Sequence, residues 1–368
     1  MRSRSLARPL RRLGLSLWLG CCPIVVPPPA VASGDEPCDM LANRTIRWIV
    51  PSKPGGGYDA YARLLQPFVE QYLAAQIMIE NRPDAGGIVG ALAIRDAKAD
   101  GSTLGIINAP GLLAAAITNG GKAPRPMTDF TILSRLVGNR MVLMTGGNSG
   151  FKTIDDVLQA SVSRPLLVGV RDVGSLSFIA VPVTAALLDL NYALVSGYVG
   201  GTARSLAAIR GEIDLTIQDS GSIRRFVDDG ELIPLLQINR RETAPVKTHA
   251  TDWLGHVPAL EDMAVLRADH SRLDPAEARR MAVALSSIIG AGRLVVAPAG
   301  LPAPVTTCLV SALSAVLDSA PLRKAAAQAG LGIAPADPQT ARQDLRTATQ
   351  ALRQFSDLVR SAIEQTRQ

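Results

Sequence analysis

Four short stretches of small residues stand where the chain leaves an apolar run and enters a helical pattern. They are Pro54-Gly55-Gly56-Gly57-Tyr58-Asp59, Pro83-Asp84-Ala85-Gly86-Gly87, Asp172-Val173-Gly174-Ser175-Leu176-Ser177 and Val199-Gly200-Gly201-Thr202. Glycine lets a backbone approach a ligand closely and takes positive φ at little cost. The first turn of a helix offers unpaired N–H donors and a partial positive charge. Together these features suit the capture of an anion such as a carboxylate or phosphate. Each turn taken alone is equally well explained by a tight turn or close helix packing.

The nucleotide readings fail on residue order. A phosphate loop needs Gly-Lys-Ser/Thr after its glycines, whereas Lys53 precedes them here and Tyr58-Asp59 follow. Gly-Gly-Gly-Tyr-Asp-Ala does not fit the GxGxxG dinucleotide fingerprint either. Hydrolytic chemistry needs a nucleophile and a base in reach of each other. The three histidines, His249, His256 and His270, all fall in one loop-rich stretch, and no GxSxG is present. No CxxC or Cys/His ligand spacing indicates a metal, and no cofactor is expected.

Single residues carry two readings each. Asp59 is a ligand contact or a helix N-cap. Tyr58 stacks on or donates to a ligand, or packs. Ser175, Ser177 and Thr202 are donors or caps, and Asp219 orders a bridging water or serves a turn. Asn81 and Arg82 read as holding the turn before Pro83, and Arg171 as a partner for an acid or a solvated cation.

Strands that alternate with helices place these turns. Apolar β-rich runs occur at 46–50, 77–79, 103–107, 141–145, 166–170, 193–199, 215–218, 232–238 and 294–297, most followed by a helical pattern. Ala62, Leu65, Val69 and Tyr72 mark a helix over 59–72, which Pro67 should kink or shorten. Thr153 with Asp156 three residues on reads as a capping box, and Asp337-Pro338 as the start of a last long helix. The alternation predicts an α/β protein with mostly parallel sheets flanked by helices, built twice, at about 46–140 and 141–240. In such sheets, ligands bind at the carboxyl ends of the strands.

The chain has 368 residues and a formal charge of +6. Residues 1–32 hold five arginines and no acid, so the remainder carries only +1. That balance gives nucleic-acid binding little electrostatic support. The same stretch has a basic start, an apolar run from Leu13 to Val26, and Ala30-Val31-Ala32 before Ser33. It reads as a signal peptide cleaved after residue 32, with lipidation at Cys21 or Cys22 as the rival. Cys38 and Cys308 then remain, and in an oxidising compartment they either pair or stay as inert thiols.

The ordered segments "IRWIVPSKPGGGYDAYARLL", "IMIENRPDAGGIVGALAIRDAKADGSTLGI", "GYVGGTARSLAAIRGEIDL" and "APAGLPAP" resemble the signatures of the Bug/TctC family. These are extracytoplasmic solute-binding receptors of tripartite tricarboxylate transporters. The resemblance covers most of 44–360 and implies a two-lobed type II periplasmic-binding-protein fold hinged around a cleft. Lobe 1 is then 33–140 plus 241–368, and lobe 2 is 141–240. It also implies a periplasmic monomer that binds a small carboxylate, with membrane permease subunits or a sensor kinase as partner. Carried over residue by residue, the ligand-facing positions are Gly56, Gly57, Tyr58 and Asp59, then Asn108 and Ala109. The second lobe adds Gly174, Ser175, Ser177, Gly200, Gly201, Thr202 and Asp219.

Departures bear on the ligand. Tyr58 stands where the family has a small Thr or Ser, Asp84 replaces a glycine, and Val199 replaces a lysine. The stretch after the third strand is the apolar "NAPGLLAAA". A bulkier, less polar cleft suits a monocarboxylate or an aromatic or apolar acid as well as a dicarboxylate. A degenerate receptor that binds a protein partner and no small solute is the alternative.

Overall fold

The computed structural model describes residues 38–118, 123–171, 175–198, 200–238 and 253–365. Two five-stranded sheets organise them. The first takes β1 (Thr45–Val50), β2 (Gln76–Asn81), β3 (Thr103–Asn108), β4 (Phe130–Val137) and a late strand, Arg293–Pro298. The second takes β5 (Met141–Gly146), β6 (Leu166–Gly169), β7 (Tyr192–Val195), β8 (Leu215–Asp219) and β9 (Leu232–Ile238). The late strand is β10. The sheet orders are β2-β1-β3-β10-β4 and β7-β6-β8-β5-β9. In each sheet one strand, β10 or β5, runs antiparallel to both neighbours while the remaining pairs are parallel. The fold is the two-lobed α/β arrangement of type II binding proteins.

Helices fill the crossovers: α1 (Gly57–Leu73), α2 (Ile88–Arg95), α3 (Ala109–Thr118), α4 (Ile154–Ser163), α5 (Leu176–Leu188), α6 (Gly200–Ile209) and α7 (Ser220–Asp228). After β9 come α8 (Leu260–Leu266), α9 (Ala268–Ser271) and α10 (Pro275–Gly290). After β10 come α11 (Ala303–Asp318), α12 (Ala320–Gln328), α13 (Pro338–Arg353) and α14 (Ser356–Gln365). Among the described residues no single helix is long and apolar enough to cross a membrane.

Local sequence explains most of these elements. The Thr153–Asp156 capping box forms at the start of α4. Asp337 caps α13 by accepting from Gln339 and Thr340 N–H, and Ser175 caps α5. Pro67 neither shortens nor ends α1, which runs from Gly57 through to Leu73. Pro67 lies on the exposed face, where water can satisfy the carbonyl freed by its missing N–H. The strand expected at 193–199 is shorter, ending at Val195.

β4 was not expected. Ser134 and Arg135 break its apolar character, yet both are buried. Arg135 pairs with Asp344 of α13, and the Arg135 N–H donates to the Ala336 carbonyl at 3.0 Å. The last long helix therefore docks on β4 through a polar strand centre.

Alternation along β10 divides the core. Val295 and Ala297 face the α1 and α11 side with Trp48, Leu104 and Ile106. Leu294 and Val296 face a larger cluster that also holds Leu143, Val168 and Ile217 of the second sheet, joined through α5, α10 and α13. Arg293 heads the row that faces α1. Just before it, Gly292 has φ +67°, and a Cβ there would lie 2.1 Å from the Val137 carbonyl oxygen. Only glycine lets the chain enter β10 this close to the end of β4. The first direct passage between the sheets, Gly138 to Arg140, follows, and the Ser220 N–H donates to the Arg140 carbonyl at 2.8 Å. A disulfide joins Cys38, just before β1, to Cys308 in α11, with Cα atoms 5.2 Å apart.

Candidate functional site

The turn after β1 is built around a buried carboxylate. Gly56 is the N-cap of α1, so Asp59 sits in the first turn and is not the cap expected from its residue type. Asp59 is 1% exposed. Its carboxylate accepts from Gly55 N–H at 2.8 Å, Arg63 Nε at 2.8 Å and Asn81 Nδ2 at 2.9 Å. Burial alone would raise its pKa, but the donors Arg63, Asn81 and Gly55 hold it below the usual carboxylate range. Its acceptor capacity is spent on shaping the loop. Asn81 also donates to the Ser52 carbonyl, which fits the structural role expected of it.

The second turn packs against the first. Gly87 has φ +91°, and a Cβ there would meet the Pro51 side chain at 2.7 Å. Glycine thus allows the loop after β2 to lie directly on the end of β1. The side chain of Arg171, at the end of β6, reaches this loop from the other sheet, with Nη2 2.7 Å from where a Gly86 Cβ would be. Arg171 is half-buried there.

A second cation lies between the sheets. The Arg293 guanidinium carbon sits 5.0 Å from the Tyr58 ring centroid and 4.8 Å from that of Tyr61. Its Nη2 lies 3.3 Å from Asp219 Oδ1, at the end of β8 in the other sheet. Arg293 is only 7% exposed. Burial works to lower its pKa, but Asp219 and the two phenols outweigh burial and raise it, so the charge persists. Burial pushes the Tyr58 phenol up to about 12 against the opposing effect of Arg293, and it raises Tyr61 likewise. The Tyr61 hydroxyl donates to the Gly332 carbonyl at 2.7 Å, which fixes that ring.

The expected ligand-facing residues fall into groups. Gly57, Tyr58 and Asp219 gather around Arg293: a Cβ on Gly57 would lie 3.8 Å from Arg293 Nη2. Asn108, at the end of β3, is the strand partner of Arg293, and its Oδ1 accepts from Gly111 N–H in α3. Ala109 is buried, with its N–H on the Gly292 carbonyl. Ser175 and Ser177 lie 3.0 Å apart, and the Arg171 N–H points to Ser177 Oγ at 3.4 Å. A Cβ on Gly56 would press on Ser52 and the Lys53 carbonyl. One on Gly201 would meet Gln218 Oε1 at 2.6 Å, while Gly200 and Thr202 are exposed. Asp219 takes a turn role, accepting from Gly221 N–H as the cap of α7, and pairs with Arg293 as well. Gly174 lies outside the described residues.

Three site residues escaped the sequence reading: Arg293, Tyr61 and Gln218. Arg293 left a signal, a lone charge at the head of the apolar run Arg293–Pro298. Gln218 is 1% exposed and its Nε2 donates to Ser205 Oγ. Among the described residues no group of His, Cys, Asp and Glu could hold a metal ion, and His256 and His270 are exposed. His249 lies outside the described residues.

The model of the tripartite tricarboxylate transporter family receptor, TctC, matches residues 61–256, more than half of the chain. A UPF0065 protein from the tcbD-tcbE intergenic region of Pseudomonas sp. strain P51 is 27% identical over 191 residues, 51% of this chain and 56% of that protein. The chain spans about half the length of the curated relatives it matches. MatC from Rhodopseudomonas palustris, solved with bound malate, is 22% identical with a TM-score of 0.63, over 86% of this chain and 99% of that one. An R. palustris protein solved with adipate is 21% identical with a TM-score of 0.65, over 86% and 97%. These structures share the fold, and the chain belongs to the tripartite tricarboxylate transporter receptor family, TctC.

Proposed function

We propose that this protein is a non-catalytic periplasmic receptor that holds a small organic carboxylate between its two lobes. The lobes are 33–140 with 241–368, and 141–240, and they close over the ligand by hinge motion. The loaded form then docks on the membrane subunits of a tripartite transporter or on a sensor. The observation that carries this reading is Arg293: a charged, nearly buried guanidinium between the two sheets, beside the start of α1. Asp219 meets it through one contact at 3.3 Å and its Nε has no hydrogen-bond partner among the described residues, so donors remain for a ligand carboxylate, and the positive start of α1 favours the same charge. Malate and adipate in the two R. palustris proteins agree with this ligand class.

The test is thermal melting of the purified protein against dicarboxylates, tricarboxylates, amino acids, and aromatic and aliphatic monocarboxylates. A ligand at 100 times its Kd adds about 2.7 kcal/mol of stability. A shift confined to one class identifies the solute. No shift with any acid, in protein shown free of bound solute, removes the receptor reading in favour of a degenerate receptor that binds a protein.

A further inference from the structure

We propose that Asp219 is an internal stand-in for the carboxylate of the ligand: it bridges to Arg293 across the two sheets, and an incoming monocarboxylate takes its place on the guanidinium. This inference rests on the receptor reading.

Arg293 lacks a full set of partners. A guanidinium presents a fork of donors that matches a carboxylate in two parallel bonds. Here Asp219 offers a single contact at 3.3 Å, through Oδ1. That same oxygen also accepts from Gly221 N–H at 3.2 Å. Both distances exceed the roughly 2.7–2.9 Å of a good charge-assisted bond. Arg293 Nε is buried without a hydrogen-bond partner among the described residues. The same protein shows what a filled fork looks like: Arg164 holds Asp214 by two bonds, at 2.8 and 2.7 Å. Asp219 is held back from that geometry by its own role as the cap of α7. A free carboxylate carries no such tether.

The surroundings favour exchange at this point. The rings of Tyr58 and Tyr61 flank the guanidinium, and Tyr61 is anchored to Gly332. The cation therefore stays in place while its anion changes. Gly57 leaves the start of α1 open beside Nη2. Asp219 belongs to the second sheet and Arg293 to the first, so their contact ties the sheets together. Exchange leaves the Asp219 carboxylate in the same cleft. A second carboxylate on the ligand would face that charge, whereas a neutral remainder would meet the Tyr58 ring. The solute class is thus a monocarboxylate with an apolar or aromatic body.

The experiment is calorimetric titration of the full chain and of Asp219→Asn, Arg293→Lys and Arg293→Gln. Benzoate and straight-chain C2–C8 monocarboxylates are the probes, with their matching dicarboxylates. We expect Asp219→Asn to bind the preferred monocarboxylate about tenfold more tightly, because nothing need be displaced. Both Arg293 variants should lose at least tenfold. Small-angle scattering of the empty proteins should show Asp219→Asn more expanded than the parent, and this reading does not depend on the choice of acid. Carboxylate binding that is unchanged or weakened in Asp219→Asn, or undiminished in the Arg293 variants, overturns the exchange and leaves the receptor reading intact. If neither the parent nor Asp219→Asn binds any carboxylate, both readings are overturned.

Discussion

Asn81 Nδ2 donates to Asp59 Oδ1 at 2.9 Å and to the Ser52 carbonyl at 2.9 Å. One amide thereby ties the end of β2 to the end of β1 and to the first turn of α1. The loop that opens the candidate site is thus fixed to both strands.

That network predicts a pH dependence. The folded pKa of Asp59 lies below its unfolded value. Its contribution is therefore complete above the ordinary carboxylate value of about 3.9 and is lost as pH falls through the folded pKa. Asp59→Asn should cost about 3 kcal/mol at neutral pH, through lost charge-assisted bonds. Urea denaturation of parent and variant between neutral and acid pH should give stability curves that converge at the acid end. Curves that stay parallel would show that Asp59 carries no such linkage.

Tyr58 predicts a silent phenol. With its pKa pushed up to about 12, it stays protonated while an ordinary tyrosine, near 10, ionises. Tyr58→Phe should leave the rise in phenolate absorbance between pH 9 and 11 unchanged in folded protein. It should also soften the alkaline loss of stability. A folded-state pKa above the unfolded one makes stability fall as pH rises past the unfolded value, and the variant lacks that drain. A variant that loses one ordinary tyrosine's share of the absorbance rise would contradict the raised pKa of Tyr58.

Cys38 and Cys308 close a loop of 270 positions. A cross-link over so long a loop restricts the unfolded chain, and its removal typically costs about 2–5 kcal/mol. Melting of the parent should drop on reduction to that of a Cys38→Ala, Cys308→Ala double variant, and the variant should ignore reductant. Equal melting temperatures for oxidised parent and variant would sink this prediction.

Where local chemistry decides, the sequence was legible. The caps at Thr153, Ser175 and Asp337 and the apolar runs of nine strands follow from residue type and period. Where partners come from far along the chain, it was not. β4 hides behind Ser134 and Arg135 because the groups that satisfy them belong to α13 and the turn before it. Asp59 reads as a cap by type, but Gly56 takes that position and Asp59 turns back onto Gly55. Arg293 stands out only as a charge in an apolar strand. Its meaning needs Tyr58, Tyr61 and Asp219, which arrive from α1 and from the other sheet.

The most direct test of the account is crystallographic. The acid that gives the largest melting shift would be prepared with a bromine atom on its body and co-crystallised with the protein. The bromine would then be located by anomalous scattering. The account predicts one site between the sheets, with the carboxylate within hydrogen-bonding distance of Arg293 and the bromine beside Tyr58. Bromine found elsewhere, for example in the groove of about 500 Å³ lined by Pro182, Tyr192 and Leu358, would contradict it.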